Sequence, residues 1–175
     1  MTIVLSAPSP ADAEEFIAAA RESARRLQPW VTAADTPERF TAYLTRAARE
    51  DQASYLIRHC ACGRLVGYAN INNIVRGALR SGYLGYGSFT SHARRGLMTA
   101  GLGAVVTDAF TTLGLDRLEA NIEPDNRPSL GLVRRLGFQR EGFSPRYLLI
   151  DGQWRDHERW SVLAEDWAAP SASGQ

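Results

Sequence analysis

Residues 85–100 read Gly-Tyr-Gly-Ser-Phe-Thr-Ser-His-Ala-Arg-Arg-Gly-Leu-Met-Thr-Ala, and they constrain this chain more than any other stretch. A strand ends there, a tight basic turn follows around Gly96, and an amphipathic helix begins. That order builds an anion site. The first N–H groups of a helix have no acceptor inside it, and the helix dipole adds partial positive charge. Arg94 and Arg95 add two full charges, and Gly96 lets the backbone come close to a bulky group. The turn is suited to a diphosphate.

At 175 residues the chain has the size of one domain with a full core. A formal net charge of +1 gives no field that would draw nucleic acid. Its cations are arginines, which bind flat anions through paired hydrogen bonds. The start, Met1-Thr2-Ile3-Val4-Leu5, turns polar at once, so no signal-peptide core is read. No apolar run reaches membrane-spanning length, and the expected location is the cytoplasm. Cys60 and Cys62, one residue apart, would point to opposite faces of a strand. They are expected to be free thiols rather than a disulfide or zinc ligands, and no metal is expected.

Ser9-Pro10-Ala11-Asp12 starts a helix expected to run to about Arg26, stopped by Leu27-Gln28-Pro29-Trp30. Asp12, Glu14 and Glu15 read as its solvated face. Thr36-Pro37-Glu38 starts a second helix, ending near Glu50. Residues 54–59 and 65–74 form a hairpin, and 83–89 a third strand. The helix from Gly96 to Leu113 carries Leu97, Leu102, Val105, Val106, Ala109, Phe110 and Leu113 on one side. A strand over 117–122 precedes a helix that Asn126-Arg127-Pro128-Ser129 opens and Gly137 closes. A last hairpin spans 143–150 and 154–163, turning at Asp151-Gly152. Residues 1–167 form the domain, and 168–175 are an expected disordered tail. The fold class is α+β, with a central mixed, mostly antiparallel sheet flanked by helices. A ligand crevice is expected where a helix N-terminus meets the end of a strand.

Four blocks, in order, resemble the GCN5-related N-acetyltransferases, in particular their Rim-type branch. They are Leu27-Gln28-Pro29-Trp30; Gly85-Tyr86 with Arg94-Arg95-Gly96-Leu97-Met98; Asn126-Arg127-Pro128-Ser129 with Leu136-Gly137-Phe138; and Asp151-Gly152-Gln153-Trp154-Arg155-Asp156-His157. The resemblance implies acetyl-CoA as co-substrate and direct attack of an amine on its thioester, with the cofactor in the crevice where the central strands splay. It places the pantetheine arm along Ser88, Phe89 and Thr90, and the pyrophosphate on the amides of Arg94, Arg95, Gly96, Leu97, Met98 and Thr99. It gives Asn126 a bond to the pantetheine and Ser129 a place beside the sulfur. Two positions depart from the family pattern: Ala93 stands where Gln or Arg is usual, and Tyr83 stands where many relatives carry Glu.

An attacking amine must be neutral. An α-amine has a pKa of roughly 7.7–8.0 and a lysine roughly 10.4. Without the glutamate, an α-amine acceptor is favoured: a protein N-terminus, or a small molecule. Ser129 is the candidate acid for the departing thiolate, against the alternative that it only satisfies a helix-end amide. Trp30, Tyr86, Tyr147 and Trp154 are candidates for an acceptor pocket, against a plain core role. His157 is a candidate for acceptor contact, against a structural role; Asp156 beside it must face the other way, and His92 is expected to be exposed. A homodimer fits the branch. Three readings stand: a protein N-terminal acetyltransferase, a small-molecule acetyltransferase, and an acyl-CoA-binding module without catalysis.

Overall fold

Apolar alternation sets the sheet. In Ala53–His59, Leu56 and Ile57 are both fully buried, one against each face. The computed structural model describes residues 2–92, 96–150 and 152–168. Its strands are β1 (Ile3–Ser6), β2 (Ala53–His59), β3 (Leu65–Val75), β4 (Ser81–Ser88), β5 (Arg117–Ile122), β6 (Gln139–Ile150) and β7 (Gln153–Leu163). They form one seven-stranded sheet in the order β1-β2-β3-β4-β5-β7-β6. Only β4 and β5 pair in parallel among the described residues. The architecture is the expected α+β fold with a mixed, mostly antiparallel sheet. Residues 93–95, Asp151 and the tail from 169 lie outside the described residues, and with them the readings placed on Ala93, Arg94 and Arg95.

The helices are α1 (Ala13–Glu22), α2 (Ala24–Leu27), α3 (Pro37–Ala47), α4 (Leu97–Thr111) and α5 (Arg127–Arg135). On one face α1 to α3 close over an aromatic knot. The Phe16 ring lies 5.1–5.5 Å from Phe40, Tyr43, Tyr68 and Phe89. On the other face α4 and α5 cover the larger core of Ile57, Val66, Leu118, Val133 and their neighbours. A parallel pair needs a crossover, and α4 is that crossover.

Three readings of the sequence are corrected here. First, the helix expected from Ser9 to Arg26 is broken at Ser23, because the buried Ser23 hydroxyl accepts the Thr90 N–H at 2.9 Å. Second, Asp12 and Glu15 are not a solvated face. Arg58 donates to Asp12 Oδ1 at 2.5 Å and to Glu15 Oε2 at 2.7 Å, and the Leu65 N–H donates to Glu15 Oε1 at 2.9 Å. Glu14 alone of the three is exposed. Third, α4 is not one-sided: no residue from 97 to 110 is exposed. Its outer face is covered by Trp167, whose indole N–H donates to Thr107 Oγ1 at 3.0 Å and whose ring lies 6.3 Å from Phe110. Cys60 and Cys62 are free and exposed, in the turn after β2.

Two outcomes follow from this packing. Burial works to raise the Asp12 pKa, but hydrogen bonds from Ser9 and the Arg58 charge outweigh it and hold the carboxyl below its ordinary 3.8. Arg58→Met is expected to cost about 1–2 kcal/mol in urea unfolding at pH 7. A depressed carboxyl stabilises above its unfolded pKa, so the gap between wild type and variant should close as pH falls below about 3.8. Gly101→Ala should cost about 1–3 kcal/mol in the same assay. A Cβ at Gly101 would meet the buried Ile57 Cγ2 at 2.5 Å.

Candidate active site

The parallel ladder between β4 and β5 lasts three residue pairs, Ser81–Arg117, Gly82–Leu118 and Tyr83–Glu119, and then the strands part. β5 stays paired with β7 as far as Ile122–Glu158. On the other side, β4 stays paired with β3, and the Phe89 N–H donates to Val66 O. That bond sets the phase of the ladder: residues 85, 87 and 89 bond to β3, so the backbone groups of Tyr86 and Ser88 point into the gap. The gap is a cleft of about 80 Å³. Leu84, Gly85 and Tyr86 line one wall, and Asn121, Ile122 and Glu123 the other.

Helix α4 begins at Leu97, nine residues after β4 ends at Ser88. Its cap is Gly96 in the left-handed region at φ 73°, where a residue without Cβ sits at no steric cost. The first intrahelical bond is Ala100 N–H to Gly96 O at 3.1 Å, so the amides of Leu97, Met98 and Thr99 have no acceptor inside the helix. No acidic side chain stands in this first turn. The helix therefore presents uncompensated positive dipole to any anion.

Helix α5 faces this from across the gap. Asn126 caps it, its Oδ1 accepting the Ser129 N–H at 3.3 Å. The cap thus belongs to Asn126, and the Ser129 side chain is spared for another use. Ser129 Oγ lies 2.5 Å from the Tyr86 hydroxyl. Burial pushes the Tyr86 phenol up to about 12, only partly offset by its bond to Ser129. At neutral pH Tyr86 therefore keeps its proton, and the two hydroxyls form a short proton-carrying pair.

The sequence candidates separate into those the cleft collects and those it does not. Trp30, Tyr86, Asn126, Ser129 and His157 all line it. His157 is buried, and its Nδ1 lies 3.1 Å from the Arg155 carbonyl. Tyr147 stands one step out, its ring 5.9 Å from His157. Trp154 is 60% exposed on the β6–β7 hairpin opposite Leu149, away from the cleft. Ser88 sits at the gap. Phe89 is fully buried, and the Phe89 and Thr90 amides are spent inside the fold on Val66 and Ser23. Gly96, Leu97, Met98 and Thr99 are the α4 terminus itself. Two polar cleft residues escape sequence reasoning: Asn121 and Glu123. The signal was available, because polar residues alternate with Leu118, Ala120 and Ile122 along β5, but alternation alone reads as a solvated face.

A splayed parallel pair, an open helix terminus at its mouth and a hydroxyl pair across it agree with the sequence comparisons. The family profile described as acetyltransferase (GNAT) domain matches residues 2–139, and the chain belongs to this family. Over 103 residues it is 42% identical to the ribosomal protein uS5-alanine N-acetyltransferase of Escherichia coli K12. That alignment covers 59% of this chain and 53% of the other, so the chain spans about half the length of this relative. It is 31% identical over 141 residues to the Bacillus subtilis protein named "Probable N-acetyltransferase YjcK", covering 81% of this chain and 78% of that one. The structure of Mycobacterium smegmatis RimJ in complex with CoA-disulfide superposes with a TM-score of 0.83 at 30% identity, covering 93% and 82% of the two chains. A spermidine N-acetyltransferase from Vibrio cholerae, at 17% identity and TM-score 0.79, shares the fold.

The α4 terminus gives a direct test. Gly96→Val puts a branched side chain on a left-handed backbone, which should cost about 1–2 kcal/mol of stability. It should also weaken coenzyme A binding roughly tenfold by titration calorimetry, through misplaced first-turn amides.

Proposed function

We propose that this protein transfers an acetyl group from acetyl-CoA to a primary α-amine by direct attack on the thioester. The observation that carries this reading is the Tyr86–Ser129 hydroxyl pair at 2.5 Å, set across the gap from an open helix terminus. Acetyl-CoA supplies the activated acyl group. The α4 amides are suited to its pyrophosphate, and the backbone of Tyr86 and Ser88 to its amide-bearing arm. The Asn126 side-chain amide keeps its N–H groups for the same arm while its oxygen caps α5. Ser129 donates a proton to the departing sulfur and recovers one through the Tyr86 hydroxyl, which relays the proton the attacking nitrogen sheds as the amide forms and so stays protonated.

A protein N-terminus is the acceptor this reading favours. The Escherichia coli relative is named for the alanine of a ribosomal protein, and the Mycobacterium smegmatis neighbour is a RimJ crystallised with a CoA disulfide. Tyr83, in place of a glutamate, supplies no base from β4. An α-amine loses its proton near neutrality, whereas a lysine holds it until roughly pH 10.4. No helix among the described residues is long and apolar enough to cross a membrane.

Thiol release from acetyl-CoA tests the proposal. An alanine-initiated peptide amide should be turned over at a rate that rises with pH through about 8, the α-amine range. Ser129→Ala and Tyr86→Phe should each lower kcat about 10–100-fold with little change in KM for acetyl-CoA. Turnover of amino acids or aminoglycosides but not of peptides would move the acceptor to small molecules. Tight acetyl-CoA binding with no turnover of any amine would make the protein a non-catalytic acyl-CoA binder.

A further inference from the structure

Asn121 and Glu123 stand where β5 leaves β4, on the wall of the cleft that faces Trp30 and His157. Asn121 Oδ1 and Glu123 Oε1 are both buried, and neither accepts a hydrogen bond from any described residue. A buried acceptor without a donor is costly, so such atoms are commonly completed by a ligand. Ile122 between them turns into the core at 5% exposure, which fixes the two polar side chains on one face. The Ile122–Glu158 register brings Glu123 level with His157.

We infer that Asn121 and Glu123 form the seat of the acceptor's ammonium group, Glu123 taking the proton that must leave before nitrogen attacks. This rests on the acetyl-transfer reading above. The match is one of donors to acceptors. The two unpartnered atoms of the seat are acceptor oxygens, and a primary ammonium offers three N–H donors and no acceptor. A hydroxyl offers a single donor and fills half the seat, so the seat selects amines over alcohols. The proton passes from nitrogen to Glu123 Oε1 and on to solvent. The freed lone pair forms the C–N bond as the C–S bond breaks, the sulfur leaves as a thiol with the Ser129 proton, and the second proton shed by the nitrogen as the amide forms replaces the one Ser129 gave up. One proton is released overall. Asn121 Oδ1 keeps an N–H of the neutral amine and so holds its orientation.

The groups that face Glu123 are few. From β7 come His157, with Arg155 and Arg159 further along; from β4, Tyr86; from its own strand, Glu119, already tied to Arg117 at 2.9 Å and Arg159 at 3.5 Å. Trp30, Val31, Asn126 and Ser129 bring no charge. Glu123 is thus the one carboxylate that lines the cleft among the described residues.

The test is kcat/KM for an alanine-initiated tripeptide amide from pH 6 to 9, alongside coenzyme A binding by calorimetry. Glu123→Gln should lower kcat/KM about 100-fold at pH 7. The deficit should shrink toward pH 9, where the free amine predominates, while coenzyme A affinity stays within about twofold. Asn121→Leu should raise KM for the peptide and leave the shape of the pH profile unchanged. If Glu123→Gln melts early, Glu123→Asp serves, and it should retain the wild-type pH profile at a lower rate. A wild type active on the peptide, with Glu123→Gln matching it across the pH range, overturns the seat alone. A wild type inert on every amine overturns the acetyl-transfer reading and the seat with it.

Discussion

The interaction on which this structure turns is a parallel strand pairing that stops early. β4 and β5 share three residue pairs and then separate, while each stays fully engaged on its other side. An antiparallel sheet could close such a seam with a hairpin. A parallel pair cannot, because its strands are joined by a helix on the face of the sheet and not by a turn at its edge. The split is therefore stable. The exposed backbone of β4 is held flat by β3, and the exposed wall of β5 by β7.

Everything chemical is arranged around that seam. α4 brings its N-terminus to one end because it is the crossover between the two parting strands. α5 follows β5 after a short turn, and its Asn126 cap fixes where Ser129 stands relative to Tyr86. The aromatic knot around Phe16 packs α1 to α3 on the opposite face and delivers the Leu27–Trp30 segment to the cleft. Ser23 ties these regions together. It ends α1, and its hydroxyl holds the Thr90 amide just past the end of β4.

The strongly patterned parts were legible in the sequence. Pro-capped α3 and Asn126-capped α5, the apolar α4, and the alternating β2–β3 hairpin all announce themselves through local chemistry. The short edge strand Ile3–Ser6 did not, since four residues give too little alternation and its Val4 is half exposed. The break at Ser23 is invisible locally, because its cause is a hydrogen bond to a residue 67 positions away. The same holds for Arg58, whose two carboxylate partners come from the first helical segment. In the site, the family resemblance and its motif blocks led to Ser129, Asn126, Tyr86, Trp30 and His157. They did not lead to Asn121 and Glu123, whose meaning depends on β5 having lost its neighbour there. Trp154 shows the converse: a motif residue that the hairpin carries out to solvent.

The ion pairs described here share one cation. Arg58, Arg117, Arg140 and Arg159 make every half-buried bridge, Arg39, Arg49 and Arg80 the exposed ones, and the full sequence contains no lysine at all. A guanidinium stays protonated at any physiological pH and is no nucleophile toward a thioester, whereas an ε-amine is one whenever it sheds its proton. On the acetyl-transfer reading, a molecule that holds an activated acyl group against its own surface is thereby clad in chemically silent positive charge. Its side chains offer that acyl group no amine to modify.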